Sequence, residues 1–269
     1  NYTVRIQRAR DAAMLEAERR TRLQDFLLSL FSGGDDAGPA DSLRVVTLID
    51  RGVEEARLLR SDPANQADLL MSLASVNQKL GRFDRADSLL NEALEAQHRA
   101  SSVDSAARAT LWLTRGDLRI DQARFAEADS ALQNAMSLSA TAPALLKARV
   151  LWTIGRRLEE EGKYDSATVQ LQQALATYPA SDPEPATRAA MLGELANVHF
   201  YAGRYDASDS LNRIALTIHE ARGGARHPAV AEIFVNLGAS EFERGRYWEA
   251  DQWYRRAFSI DSAFYGLQH

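Results

Sequence analysis

The sequence predicts an all-α protein, a right-handed superhelical solenoid of antiparallel helix pairs. Three observations predict it. One turn pattern occurs five times at near-constant spacing, small side chains recur at fixed offsets around each copy, and all seven prolines fall between the helices so defined. Periods of 20 to 50 residues are the mark of stacked repeat architectures, because a single helix pair cannot bury its own apolar face.

The turn reads Gly81-Arg82-Phe83-Asp84-Arg85-Ala86, then Ala123-Arg124-Phe125-Ala126-Glu127-Ala128, Gly162-Lys163-Tyr164-Asp165-Ser166-Ala167, Gly203-Arg204-Tyr205-Asp206-Ala207-Ser208 and Gly245-Arg246-Tyr247-Trp248-Glu249-Ala250. Its aromatics stand 42, 39, 41 and 42 residues apart. Nine residues before each aromatic comes Ala74, Gly116, Gly155, Ala196 or Gly238. Three after it comes Ala86, Ala128, Ala167, Ser208 or Ala250, and ten after it Ala93, Ala135, Ala174, Ala215 or Ala257. Small residues at fixed offsets let two helix backbones approach where they cross.

In chain order, residues 1–32 read as an N-terminal helix ending in the apolar run Phe26-Leu27-Leu28-Ser29-Leu30-Phe31. Residues 33–62 hold a glycine- and aspartate-rich loop and then a leader helix over 41–61, capped by Asp41 or Ser42, with Leu43, Val46, Leu48, Ile49, Val53, Ala56 and Leu59 at mostly helical spacing. Residues 63–269 carry five helix-turn-helix units at about 63–97, 105–137, 143–179, 186–220 and 228–265. Glycine opens four of the five turns, as suits the left-handed residue that closes a helix, and Ala123 opens the other. Asp84, Asp165 and Asp206 fall in the next helix's first turn, where the macrodipole favours negative charge. Pro63, Pro143 and Pro228 open first helices, where proline is tolerated, while Pro179, Pro183 and Pro185 punctuate the link between units three and four.

This combination of small residues, turn glycine and aromatic resembles the tetratricopeptide repeat over about residues 64 to 260. Spacing near 42 is similar to the longer variety of kinesin light chains and many bacterial proteins, and Leu216-Thr217-Ile218-His219-Glu220 followed by His227-Pro228-Ala229-Val230-Ala231 resembles it most. Departures from the family pattern are Arg115 for leucine, Ser208 for alanine and Asn212 for a large apolar residue.

The leader adds a second resemblance. An arginine-rich helix with Ala12-Ala13 and Glu16-Ala17, the run Phe26 to Phe31, an acidic loop, Leu48-Ile49-Asp50-Arg51-Gly52 and Asp62-Pro63 follow one another. The order is similar to the segment that joins the transmembrane helix of bacterial membrane-anchored serine/threonine protein kinases to their C-terminal tetratricopeptide repeats. That resemblance implies an N-terminal cytoplasmic kinase domain absent from this sequence, and repeats on the extracytoplasmic side. Arg5, Arg8 and Arg10 pull the other way, since positive flanks stay inside. A soluble cytoplasmic adaptor, or the regulatory domain of a signalling or transcription protein, is the rival reading.

Composition narrows the classes. With 45% hydrophobic and 26% charged residues the chain is not intrinsically disordered as a whole. No run approaches the roughly 20 apolar residues a bilayer requires. The start at Asn1 is neither an initiator Met nor a signal peptide and reads as a piece of something longer. A net charge of -5 supplies no basic field, so nucleic acid is not expected as a partner. Zero cysteines exclude disulfides, thiolate zinc and cysteine nucleophiles. Only Lys79, Lys147 and Lys163 among 32 basic residues are lysine, a skew that reflects base composition before binding.

No catalytic constellation is legible: there is no G-x-S-x-G elbow, H-E-x-x-H, phosphate loop, H-R-D or D-F-G. Among His98, His199, His219, His227 and His269 no pair stands at i, i+4, so neither a metal nor a cofactor is expected. Glu159-Glu160-Glu161 reads as a solvated helix end, and Trp112 and Trp152 as packing or groove residues. The expected site is a concave groove lined by the first helices, made of Met71, Ser75, Gln78, Lys79, Leu113, Asp117, Trp152, Arg156, Asn197, Phe200, Tyr201, Asn236, Ala239 and Phe242. It would hold a protein or peptide segment. Asn197 and Asn236 stand where some repeat proteins fix a bound peptide's backbone, whereas the lysines of a carboxylate clamp are not matched. Trp253, Tyr254, Phe258, Ile260, Phe264 and Tyr265 crowd the last helix, which predicts either a further repeat beyond His269 or docking on a partner. Self-association of the module is a separate expectation.

Overall fold

The computed structural model describes residues 45–100 and 104–266. Packing divides the chain into two compact units at residue 104. The expected helix over 1–32, its loop and the Asp41 or Ser42 cap lie outside the described residues. All regular structure within them is helical.

The first unit holds α1 (Val45–Leu58), α2 (Pro63–Lys79) and α3 (Phe83–Arg99). α1 buries Ile49, Val53 and Ala56 as its periodicity predicts, whereas Val46 is exposed. Asp62 caps α2, accepting from the Asn65 backbone N–H at 3.3 Å, with Pro63 as its first residue. The buried Gln66 side chain donates to the carbonyls of Ala56 and Arg57 at 3.0 and 3.2 Å, satisfying the end of α1. Arg57 grips Glu92 of α3 through two bonds of 2.6 and 2.8 Å, which holds the Glu92 carboxyl below its ordinary range.

The second unit stacks four helix pairs: α4 (Ser105–Asp121) with α5 (Phe125–Leu138), α6 (Ala144–Glu160) with α7 (Tyr164–Thr177), α8 (Pro185–Tyr201) with α9 (Tyr205–Gly223), and α10 (Pro228–Glu243) with α11 (Tyr247–Tyr265). A short 3-10 turn, Ser139–Thr141, follows α5.

Within each pair the small residues stand at the crossing. A β-carbon on Gly116 would lie 2.8 Å from Leu132, one on Gly155 2.6 Å from Leu171, and one on Gly238 2.7 Å from Tyr254. The residues three and ten after each turn aromatic, from Ala86 and Ala93 to Ala250 and Ala257, are buried. Each turn closes with two backbone bonds, as in Gly162 N–H to Glu159 O at 2.7 Å and Lys163 N–H to Leu158 O at 3.0 Å. The turn residue takes φ of 71 to 75° in Gly81, Gly162, Gly203 and Gly245, and Ala123 adopts the same conformation at 56° without being glycine.

Between pairs the seams differ in chemistry. From pair α6–α7 to pair α8–α9 the seam is apolar, with Ala167, Leu171, Leu195 and Val198 buried together. From pair α4–α5 to pair α6–α7 it carries the buried Arg157, 4.3 Å from the Phe125 ring and paired with Asp129 at 3.1 Å. Tyr178 shapes the proline-rich link before α8, its hydroxyl accepting from the Glu184 backbone N–H at 2.9 Å. The family departures are accommodated: Ser208 and Asn212 are buried in α9, and Arg115 lies 5.7 Å from the Trp112 ring.

Candidate functional site

In the second unit the first helices α4, α6, α8 and α10 are successive neighbours, so their residues share one face. On it Arg156 of α6 pairs with Asp117 of α4 and reaches Asp121 at 3.5 Å. Burial opposes its charge, but Asp117, Glu194 and Asp121 outweigh that and raise its affinity for the proton. α8 adds one more carboxylate to this face, Glu194. Glu194 shares a hydrogen bond with Glu159 of α6, and burial, that bond, Glu194 and Glu160 push the Glu159 carboxyl up to about 9. Glu159 therefore keeps its proton at neutral pH, as burial beside another carboxyl group requires.

Towards the turn end of the same face lie aromatics. Tyr201 is 60% exposed, its ring stacked 6.1 Å from that of Tyr164 and edge-on 5.5 Å from Phe200. Phe200 also tilts against Tyr205 at 5.6 Å. Phe242 is 52% exposed and meets Tyr247 at 5.1 Å. Behind them His199 accepts at Nδ1 from Arg204 Nε at 2.9 Å, and burial followed by that guanidinium lowers its proton affinity.

The expected groove residues do not all serve a surface. Met71 and Gln78 of α2 are buried, so they pack the first unit, while Lys79 at the end of α2 is exposed. Leu113 packs on the Ile120, Ala128 and Leu132 cluster. Trp152 is half-buried among Ala148, Ala174 and Met191 on one side and Leu171 and Leu195 on the other, so much of it is core. Asn197, Phe200 and Asn236 are half-buried, and Asp117 and Arg156 come together as a pair. Glu159-Glu160-Glu161 is not a uniformly solvated end: only Glu160 and Glu161 are exposed, and Glu161 pairs with Arg157 at 3.0 Å and Lys163 at 2.9 Å. Glu159 turns onto the first-helix face. It stands five residues before its turn aromatic, an offset shared by the exposed Phe242 and the buried Gln78 and Ile120, so sequence position does not single it out.

The described residues contain no cluster of three or more His, Asp or Glu able to hold a metal ion. They also contain no helix long and apolar enough to cross a membrane.

Residues 187–263 and 67–97 match family models described as tetratricopeptide repeat. The helix pairs between these two stretches continue the same register, so the repeats of the chain are of tetratricopeptide type. Its fold is similar to BtubC (BKLC) from P. vanneervenii, with 24% identity over 82% of this chain and 91% of that one and a TM-score of 0.68. A putative kinesin light chain of Podosopora anserina with nearly identical TPR-like repeats aligns at 17% identity over 76% of this chain and 97% of that one, TM-score 0.60. A Rap protein complexed with competence and sporulation factor aligns at 13% identity over 81% of this chain and 59% of that one, TM-score 0.66. No curated protein sequence matches the chain.

Proposed function

We propose that the protein is a non-catalytic scaffold that captures a protein segment on the first-helix face of residues 104–266. The observation that carries this is the exposure of Tyr201 and Phe242 on that face. Large rings left open beside half-buried polar residues are the composition of binding hot spots. The Rap protein of similar fold is itself a complex with another factor, which supports a binding use of such a stack. Tyr201→Ala with Phe242→Ala should abolish capture of the physiological partner while helicity by circular dichroism stays unchanged. Capture at undiminished affinity would overturn the assignment of the face.

The finer reading is that this scaffold is the sensor or scaffold region of a membrane-anchored bacterial serine/threonine kinase, on the extracytoplasmic side. It would bind a ligand or self-associate and so bring kinase domains together to phosphorylate one another. Its support is the leader order from Ala12-Ala13 through Leu48-Ile49-Asp50-Arg51-Gly52 to Asp62-Pro63. Sequencing the parent reading frame tests it: a kinase domain and an apolar span upstream of Asn1 are expected, and a start codon or a DNA-binding domain there would end it.

A further inference from the structure

We propose that the protein pairs with a second copy of itself through α11, the two helices antiparallel and each copy inserting Trp248 into a pocket of the other. The surface is separate from the first-helix face, so the proposal stands apart from segment capture.

Trp248 stands one residue after its turn aromatic, where the other four turns carry Asp84, Ala126, Asp165 and Asp206, all exposed. A first-turn acid suits the macrodipole, so neither the repeat nor the helix calls for tryptophan there. It is nevertheless 71% exposed. About two turns further along, a pocket of about 340 Å³ is lined by Phe234, Gln252, Arg255, Arg256, Ser259 and Ile260. A cavity of about 150 Å³ holds benzene, so this one has room for an indole. Trp248, Gln252, Arg255 and Ser259 follow one another at steps of four and three residues, which puts knob and pocket on one helix face. Trp248 cannot fill the pocket of its own chain, because helical side chains lean towards the N-terminus and the pocket lies about 11 Å the other way. An antiparallel second copy can, and two-fold symmetry fills both pockets at once. There the indole meets Phe234, Ile260 and the Arg256 guanidinium, which already lies 4.8 Å from the Trp253 ring.

Charge complementarity fixes the direction. Glu249 and Asp251 flank the tryptophan, while Arg255 and Arg256 belong to the pocket. An antiparallel second copy sets acid against base at both ends, whereas a parallel one would set like against like. Asp251 and Arg255 now hold each other at 2.6 Å on the exposed surface, a bond open to exchange. A further helix pair in the stack would cover a different stripe: Ala250, Tyr254 and Phe258 stand at the offsets of Ala167, Leu171 and Leu175 in the apolar seam.

Sedimentation equilibrium of the intact chain from about 1 to 200 μM tests the proposal, since one helix face makes a small interface of micromolar strength. The mass should rise from one copy to two and no further, because a two-fold contact closes on itself. Trp248→Ala should weaken association about thirtyfold, and Phe258→Ala should leave it unchanged. Arg255→Glu with Arg256→Glu, and Glu249→Lys with Asp251→Lys, should each be monomeric alone and dimeric when mixed. If a reversed pair loses helicity, weakening of the unsubstituted dimer by salt takes the place of mixing. A monomer at every concentration, a dimer indifferent to Trp248→Ala, a dimer lost through Phe258→Ala instead, or folded reversed pairs that fail to combine would each overturn the proposal.

Discussion

Replacing Gly155 by alanine tests the packing logic of the repeat, and Gly193 supplies its control. Both glycines lie inside first helices, at Ala144–Glu160 and Pro185–Tyr201. In an unobstructed helix interior, glycine to alanine stabilises by about 1 kcal/mol. A β-carbon on Gly193 meets nothing within 4 Å, so Gly193→Ala should deliver that gain. A β-carbon on Gly155 would lie 2.6 Å from Leu171 Cγ and 2.7 Å from Cδ2, and Leu171 is fully buried. Carbon pairs prefer about 3.5 to 4.0 Å, so helices α6 and α7 would have to part by about 1 Å. Overpacking of this kind costs about 1 to 3 kcal/mol, which cancels or reverses the helix-propensity gain. The two substitutions should therefore differ by about 1 to 3 kcal/mol in urea unfolding. Repeat arrays need not unfold in one step, so hydrogen exchange in 144–177 provides the local reading. Leu171→Ala, normally a loss of about 2 to 5 kcal/mol, should cost less in the Gly155→Ala background because it removes the obstruction. Equal stabilisation at both glycines, or strict additivity with Leu171→Ala, would refute the claim that this crossing sets helix separation.

Two further predictions follow from single groups. Ala123 alone among the turn residues holds a left-handed conformation with a β-carbon, which costs about 1 to 2 kcal/mol, so Ala123→Gly should stabilise by about 0.5 to 1 kcal/mol in thermal melts despite glycine's greater freedom when unfolded. Glu159 has its folded proton affinity raised to about 9 from an ordinary value of 4.5. Its contribution is thus complete below the unfolded value and lost as pH rises through the folded one, so stability should decline between those limits and Glu159→Gln should flatten the decline.

Which positions were readable from sequence follows from what each position answers to. Gly116, Gly155 and Gly238 answer to a neighbour 16 residues ahead in the same pair, so their size is fixed by close approach and repeats visibly. The turn glycines answer to a local dihedral angle, and proline placement to the backbone itself. Met71, Gln78 and Trp152 answer to how far adjacent helices cover a first helix, and a fixed offset from the turn does not encode that. The same offset gives an exposed Phe242, a half-buried Phe200 and a Glu159 turned towards Glu194. Glu159 and Glu194 are 35 positions apart on different helices, so the triplet Glu159-Glu160-Glu161 carries no mark in the sequence of which member faces the neighbouring helix.

The repeat therefore separates two kinds of chemistry. Inside a pair, the positions nine before and three and ten after the aromatic accept only small side chains, because larger ones would push the helices apart. Between pairs the demand is weaker, and the seams show it: Leu171 and Val198 in one, Arg157 with Asp129 in another, and Asn212 and Ser240 buried at the corresponding offsets of a third. In that last seam Asn212 Oδ1 and Ser240 Oγ find no protein partner, and each such group costs about 1 to 3 kcal/mol unless water reaches it. A stack that tolerates this expense between pairs can also tolerate a protonated Glu159 and the open rings of Tyr201 and Phe242 on its first-helix face. Constancy within each pair is what frees that face to vary, so recognition chemistry can change from one pair to the next without disturbing the helix crossings.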